Sequence, residues 1–127
     1  MAKEIATKKA PAAVGPYSQA LEVGPFVFCS GQIPLNPQTG AIEGDTAAEQ
    51  AEQVFCNIEA VLAEAGLSMK DVVKSTVFLC DLKDFVAVNE VYAKHFVKPY
   101  PARSCVEVSE LPKGAMVECE VIAAKSE

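Results

Sequence analysis

The sequence predicts an α+β fold in which a mixed β-sheet carries two helices on one face. Segments rich in β-branched and aromatic residues alternate with two segments whose apolar residues recur at helical spacing, in the order strands, helix, strand, helix, strand, strand. Each strand–helix–strand unit implies a right-handed crossover onto a sheet, whereas the outer strands can pair as antiparallel hairpins. A length of 127 residues, half of them hydrophobic, fits a single domain over residues 1–127.

The amino-terminal third is predicted to consist of strands and loops. The Gly15-Pro16 pair imposes a loop, and Gly24-Pro25 is a turn signal between two strands. Two prolines and a glycine within residues 34–40 predict a further loop. Strands are expected at residues 3–7, 17–21 and 26–33.

The first helix has recognisable signals at both ends. Thr46 and Glu49 fit a capping box, and Gly66 follows the last apolar position, where a left-handed cap belongs. A second helix is expected from about residue 84 to about residue 98, where the following proline disfavours helical backbone. The remaining strands are expected at residues 72–80, 102–108 and 116–124.

The strand at residues 72–80 is apolar on both of its faces. Val73, Val77 and Leu79 are expected on one face, and Phe78 lies on the other. Because two helices cover only one face of a sheet, the second face needs another cover. A second copy of the same chain is the simplest one, so the residues alone predict a homo-oligomer.

Charge and cysteine content exclude several classes of function. The chain has 11 basic and 17 acidic residues, for a net charge of −6, which repels nucleic acid and anionic membranes. No segment is long and apolar enough for a membrane span. The five cysteines include no C-x-x-C pair, and with one histidine they form no zinc set. We therefore expect reduced thiols, no metal and a cytoplasmic location.

Arg103 is the single arginine beside ten lysines. Strand alternation places it on one face with Cys105 and Glu107, and if the last two strands are neighbours it lies near Glu118. The guanidinium matches a carboxylate bidentately, and a nearby carboxylate can handle water or a proton. The alternative is a buried or interfacial Arg–Glu ion pair without a ligand, which is the commoner arrangement.

The sequence pattern does not decide the roles of three other candidate residues. Cys105 is the best placed thiol nucleophile, because a neighbouring cation lowers a thiol pKa. His95 has no partner at a recognisable spacing and is interpreted as a surface residue at a helix end. Tyr17, in the loop after Gly15-Pro16, is either a turn plug or a pocket wall.

Four segments in the right order resemble the RidA/YjgF family of reactive intermediate deaminases. They are Gly15 to Ala20 (GPYSQA), Ser30 to Pro34 (SGQIP), Pro101 to Val106 (PARSCV) and Val117-Glu118. The resemblance covers essentially the whole chain, with Asn89 in register. One departure is Cys119, where the family usually has a larger aliphatic residue.

The resemblance implies a chorismate-mutase-like fold and a homotrimer with active sites in the clefts between subunits. The implied reaction is hydrolysis of enamines and imines, such as 2-aminoacrylate/2-iminopropanoate and 2-aminocrotonate/2-iminobutanoate, to 2-keto acids and ammonia. It requires neither cofactor nor metal. The partner is thus a small 2-imino or 2-keto acid, and not a nucleic acid or a membrane.

The resemblance also implies residue roles. Arg103 is expected to grip the substrate carboxylate, and Glu118 to hold and activate the attacking water or to relay its proton. Tyr17 is expected to come from the adjacent subunit, and Gly31 and Cys105 to act through their backbone. The substrate-binding positions that the family implies are Tyr17, Ser30, Gly31, Asn89, Arg103 and Cys105.

Two rival functions come with the family. Some members are described as ribonucleases or translation inhibitors, but the net charge of −6 and the lack of a basic stripe with stacking aromatics argue against that role here. Others are binding modules for 2-keto acids, which need Arg103 but not Glu118. A chaperone role leaves no mark in the sequence.

Overall fold

In the computed structural model, which describes residues 1–126, the chain forms six strands and two helices. The helices are α1 (Ala47–Glu64) and α2 (Phe85–His95). The strands are β1 (Lys3–Ile5), β2 (Ala20–Val23), β3 (Phe26–Gln32), β4 (Val72–Leu79), β5 (Ala102–Glu107) and β6 (Val117–Ala124). The prediction of a single domain over residues 1–127 stays a prediction, and its last residue lies outside the described part.

The strands form one mixed sheet in the order β1-β2-β3-β6-β4-β5. Only β4 and β5, which α2 connects, pair in parallel; the other neighbours within residues 1–126 are antiparallel. The mixed sheet and the crossover confirm the predicted class. The suggestion that the last two strands are neighbours is wrong, because β6 inserts between β3 and β4. Long-range pairing brings it there, and the local pattern of a strand does not encode its partner.

Both helices lie on the same face of the sheet. The side chains of β6 that point toward them are completely or almost completely buried, as are the facing side chains of β3 and β4. They pack against the apolar stripe of α1, which includes Phe55 and Ile58. Neither helix in the part of the chain that the structure describes is long and apolar enough to cross a membrane.

The other face of the sheet, called the open face here, is apolar and uncovered within the chain. The side chains that line it are about two-fifths exposed and include Leu21, Val23, Phe26, Phe28 and Val106. The predicted second apolar face is therefore confirmed. Val73 was assigned to the wrong side: it is the extra residue of a β-bulge between Val72 and Lys74 and is 45% exposed.

The capping signals are confirmed and several element ends differ. Thr46 accepts a hydrogen bond from the Glu49 backbone, Glu49 bonds back to Thr46, and Gly66 has φ +78°. The strand expected at residues 17–21 begins only at Ala20. The preceding residues form a loop that the buried Gln19 side chain ties to the backbone of residues 7–11.

Candidate active site

Arg103 lies on the helix side of the sheet, in a cleft of about 490 Å³ that α2 borders. Its strand neighbour in β4 is Ser75, whose side chain points into the core. The Arg103 Nη1 donates a 2.7 Å hydrogen bond to Asn89 Oδ1 of α2. We call this cleft the arginine cleft; Asn89, Tyr92, Ala93, Tyr100, Pro101 and Arg103 line it.

Two aromatic side chains of α2 support the guanidinium. Its carbon lies 4.7 Å from the centroid of the Tyr92 ring and 5.5 Å from that of Phe85. Both distances are in the range of cation–π contacts. Arg103 is thus held by an amide and two rings, none of which neutralises its charge.

Within residues 1–126, Arg103 forms no ion pair. The alternative interpretation, a buried or interfacial Arg–Glu pair, is therefore wrong for a pair within these residues, and its interfacial form stays a prediction. A guanidinium has five N–H donors, and Asn89 occupies one of them. The remaining donors can take a carboxylate in the bidentate geometry that arginine favours.

Glu118 lies in a second cleft, of about 620 Å³, on the open face. We call it the glutamate cleft; its lining includes Tyr17, Ser30, Gly31, Gln32, Ile33, Lys113, Glu118 and Glu120. The strand β3 has a bulge at Ser30 and Gly31, between the pairs Cys29–Val121 and Gln32–Cys119 and therefore opposite Glu120. A Cβ at Gly31 would overlap the Glu118 carboxylate and lie 2.9 Å from its Cδ. The absence of a side chain at Gly31 makes room for this carboxyl group.

Ser30 and Tyr17 shape the glutamate cleft from the loop side. Ser30 Oγ donates a 2.6 Å hydrogen bond to the Ser18 carbonyl, and the Ser30 amide donates to the Gln19 carbonyl. These bonds hold the loop that carries Tyr17, whose side chain is 52% exposed. Of the two roles left open for Tyr17, the structure supports the pocket wall.

The surroundings of Glu118 favour its protonated form relative to an ordinary glutamate. Partial burial raises the pKa of the carboxyl group, and the negative charge of Glu120 two residues away raises it further. Glu118 therefore exchanges protons closer to neutral pH than an exposed carboxylate does. A general base needs this property.

Arg103 and Glu118 do not meet within one chain. Arg103 pairs with Ser75 of β4, and Glu118 pairs with Phe78 on the other side of the same strand. Two strand spacings and three residue steps separate the Cα atoms by roughly 14 Å. The side chains also point to opposite faces of the sheet. The structure therefore groups Arg103, Asn89 and Cys105 on one side, and Tyr17, Ser30, Gly31 and Glu118 on the other.

Cys105 lies beside Arg103 but is not activated. Burial raises the pKa of its thiol, and the smaller effect of the Arg103 charge does not compensate. The expectation of a lowered pKa is wrong because desolvation outweighs the cation. All five cysteines are free, and burial raises the pKa of Cys29 to about 12. Cys119, the departure from the family pattern, is fully buried below Glu118 in the core.

His95 is not a free surface side chain. Its ring is 11% exposed and lies 5.4 Å from the ring of Phe55. Its Nε2 and Nδ1 atoms are 2.6 and 3.1 Å from carboxylate oxygens of Glu52 and Glu59. It joins the end of α2 to α1, away from both clefts. Over residues 1–126, no group of three side chains could hold a metal ion.

Comparison with known proteins decides the family. The family model described as Endoribonuclease L-PSP matches residues 7–125. The chain belongs to this family. It is the family identified above from the sequence as RidA/YjgF, and its members include solved structures under those names.

Relatives of known activity and structure cover nearly the whole chain. The 2-iminobutanoate/2-iminopropanoate deaminase of Escherichia coli strain K12 is 49% identical over 128 residues, 98% of this chain and 99% of that protein. RidA of the Antarctic bacterium Psychrobacter is 50% identical with a TM-score of 0.93, covering 96% and 98% of the two chains. E. coli TdcF, solved with bound serine, is 47% identical with a TM-score of 0.91, covering 98% and 99%.

Reasoning from the sequence did not identify Tyr92 as part of the arginine cleft, or Ser75 as the buried residue that contacts its hydroxyl. Tyr92 lies on the buried face of α2 together with Val88, which is the pattern of a core residue. Ser75 could have indicated this contact, because a hydroxyl group in the middle of a buried strand needs a polar partner opposite it. The partner is the Tyr92 hydroxyl, whose oxygen is 2.7 Å from Ser75 Oγ.

Proposed function

We propose that this protein is a deaminase that hydrolyses 2-imino acids, formed from enamines such as 2-aminoacrylate and 2-aminocrotonate, to 2-keto acids and ammonia. The observation that carries the proposal is the pair of complementary clefts. One offers an unneutralised guanidinium, and the other a half-buried carboxyl group with a raised pKa. The activity of the E. coli relative supports it.

The proposed site forms between copies of the chain, in a homotrimer. Arg103, Asn89 and Cys105 come from one copy, and Tyr17, Ser30, Gly31 and Glu118 come from the next. Two features support this assembly. The clefts lie on opposite faces of the sheet, and the exposed apolar side chains of the open face need a cover.

The chemistry follows from the two charged groups. Arg103 binds the substrate carboxylate and fixes the neighbouring C=N carbon. Glu118 accepts a proton as water attacks that carbon and passes it to the imine nitrogen, giving a carbinolamine. Glu118 then takes the hydroxyl proton and passes it to the amine nitrogen, so that the C–N bond breaks, ammonia leaves and the C=O bond of the keto acid forms. An enamine enters after its carbon is protonated to the imine. Imines already hydrolyse in water, so positioning and electrostatic help are sufficient.

A complementation experiment tests both the reaction and the divided site. Arg103→Ala and Glu118→Ala are assayed alone and after being unfolded together and refolded, with keto acid release from a dehydratase-generated enamine as the readout. Each variant alone should be inactive, and the mixture should recover about a quarter of the wild-type sites. No acceleration by the wild type refutes the deaminase. No recovery in the mixture refutes the division between copies.

A second candidate is a binding module for 2-keto or amino acids. It is favoured because the carboxylate-binding half, Arg103 with Asn89, is complete within one chain, and TdcF holds serine. Glu118→Gln separates the two functions: a binding module keeps its affinity and has no turnover to lose.

A ribonuclease assay on the same variants tests the activity in the family description. We further propose a cytoplasmic location, which the five free thiols favour.

A further inference from the structure

Tyr92 forms the floor of the arginine cleft and is fixed on several sides. Its side chain is almost completely buried, and its hydroxyl oxygen lies 2.7 Å from the Oγ of the fully buried Ser75. The Phe96 ring stacks on it at 4.0 Å and 21°, and Phe55 meets it edge-on at 5.7 Å. A ring held by a buried hydrogen bond and two aromatic neighbours has little freedom to tilt.

The guanidinium of Arg103 lies over this fixed ring. Its carbon is 4.7 Å from the Tyr92 centroid, and the Asn89 amide oxygen bonds to Nη1. The Tyr92 ring therefore fixes the distance of the guanidinium from the cleft floor, and the hydrogen bond to Asn89 fixes its orientation in the plane above the ring. Without the ring, an exposed arginine samples many rotamers, and ordering it on binding opposes affinity.

We propose that Tyr92 is a positioning residue for substrate recognition: its ring holds the Arg103 guanidinium ready for a carboxylate. The inference rests on the proposed function, since it assigns a role within that site. It also explains why a chain that otherwise uses lysine has an arginine here. An ammonium group has no plane to lay over a ring or to present two parallel donors.

The first test compares two truncations of the same aromatic stack. Tyr92→Leu removes the ring beneath the guanidinium, whereas Phe96→Leu removes the ring on which Tyr92 stacks and leaves the cation contact. Calorimetry gives the Kd for 2-oxobutanoate, and steady-state kinetics give KM and kcat. Tyr92→Leu should raise Kd and KM about five- to tenfold with kcat changed less than twofold, because the arginine contributes to binding. Phe96→Leu should change Kd less than twofold, although it also disturbs the core.

A double-mutant cycle shows whether the effect passes through Arg103. In an Arg103→Lys background, Tyr92→Leu should have almost no further effect on Kd, because the group it supports is gone. The conservative double variant Tyr92→Phe with Ser75→Ala keeps the ring and removes both hydroxyls together. It should bind within about twofold of the wild type, since a phenyl ring also supports a cation.

A measurement on the unmodified protein does not depend on how the variants fold. Arg103 is the only arginine, so its Nε–H gives a single arginine side-chain signal in nitrogen-15 NMR. In the free protein, this group should already be rigid on the ps–ns timescale. An S² value above about 0.8 is expected, against below about 0.6 for a flexible side chain.

Three results would overturn the inference. They are a mobile Arg103 Nε–H in the free wild type, equal losses of affinity in Tyr92→Leu and Phe96→Leu, and additive losses in the double-mutant cycle. The proposed function can be refuted independently of this inference. A wild type that binds 2-oxobutanoate without accelerating imine hydrolysis refutes the deaminase, whereas the Kd values of the Tyr92 and Phe96 variants still test the role of Tyr92. A wild type that binds no keto acid refutes both.

Discussion

Replacing Gly31 with alanine should remove activity while leaving the fold intact. The added Cβ would lie 2.9 Å from Glu118 Cδ, whereas ordinary contact begins at 3.4 Å, so the carboxyl carbon must retreat by at least about 0.5 Å. The carboxylate oxygen nearest to Gly31 must move further. A displacement of about 1 Å in a positioned catalytic group costs on the order of 100-fold in rate.

The stability of Gly31→Ala should change by less than about 1 kcal/mol. Gly31 does not have a positive φ angle, so alanine adopts its backbone conformation without strain. The group that must yield is the end of a flexible side chain. Keto acid release in the dehydratase-coupled assay gives the rate, and thermal unfolding gives the stability.

Gly66→Ala is the matched control because it should have the opposite effects: a loss of stability without a loss of activity. Gly66 has φ +78° and no atom within 4 Å of an added Cβ, so alanine there is strained but obstructs nothing. It should lower stability by about 1 kcal/mol and leave the rate unchanged. Full activity in Gly31→Ala, under conditions where Glu118→Gln is inactive, would refute the reasoning.

Four further changes test other parts of the structure. Glu120→Gln should move the acidic limb of kcat/KM to lower pH, because the Glu120 charge raises the Glu118 pKa and its removal lowers it; an unmoved limb would contradict this. Thr46→Ala should cost about 1 kcal/mol in thermal unfolding, with no change in rate. His95→Ala removes the contacts with two α1 carboxylates and should cost about 1 kcal/mol, again without loss of activity. Phe28→Asp, on the open face, should yield monomers in analytical ultracentrifugation and abolish turnover together with assembly.

Local signals in the sequence were sufficient to predict the order of the elements and the faces of most of their residues. The Thr46 capping box was predicted correctly, and in β6 Glu118 lies on the face opposite the buried Val117 and Cys119, as strand alternation dictates. The common face of Arg103 and Cys105 was also correct. These features depend on neighbours within a few positions, which a single chain displays directly.

What could not be predicted depends on contacts between distant segments. The position of β6 between β3 and β4 follows from packing of the whole sheet, and it puts Glu118 on the face opposite Arg103. The bulge at Val73 shifts one residue to the other face, which a period of two cannot show. The pKa of the Cys105 thiol is raised because burial outweighs the charge of Arg103, and the sequence shows the neighbouring cation but not the burial.

The opposite-face arrangement of the two clefts has a consequence for mixtures of normal and defective chains. In the proposed assembly each chain gives its guanidinium to one site and its carboxylate to another. A chain that folds but lacks both the Arg103 guanidinium and the Glu118 carboxylate therefore inactivates two sites of the oligomer that it joins, although it is only one of the subunits. Such a chain acts as an inhibitor of its normal copies when the two are made together, and the loss grows faster than the fraction of defective chains.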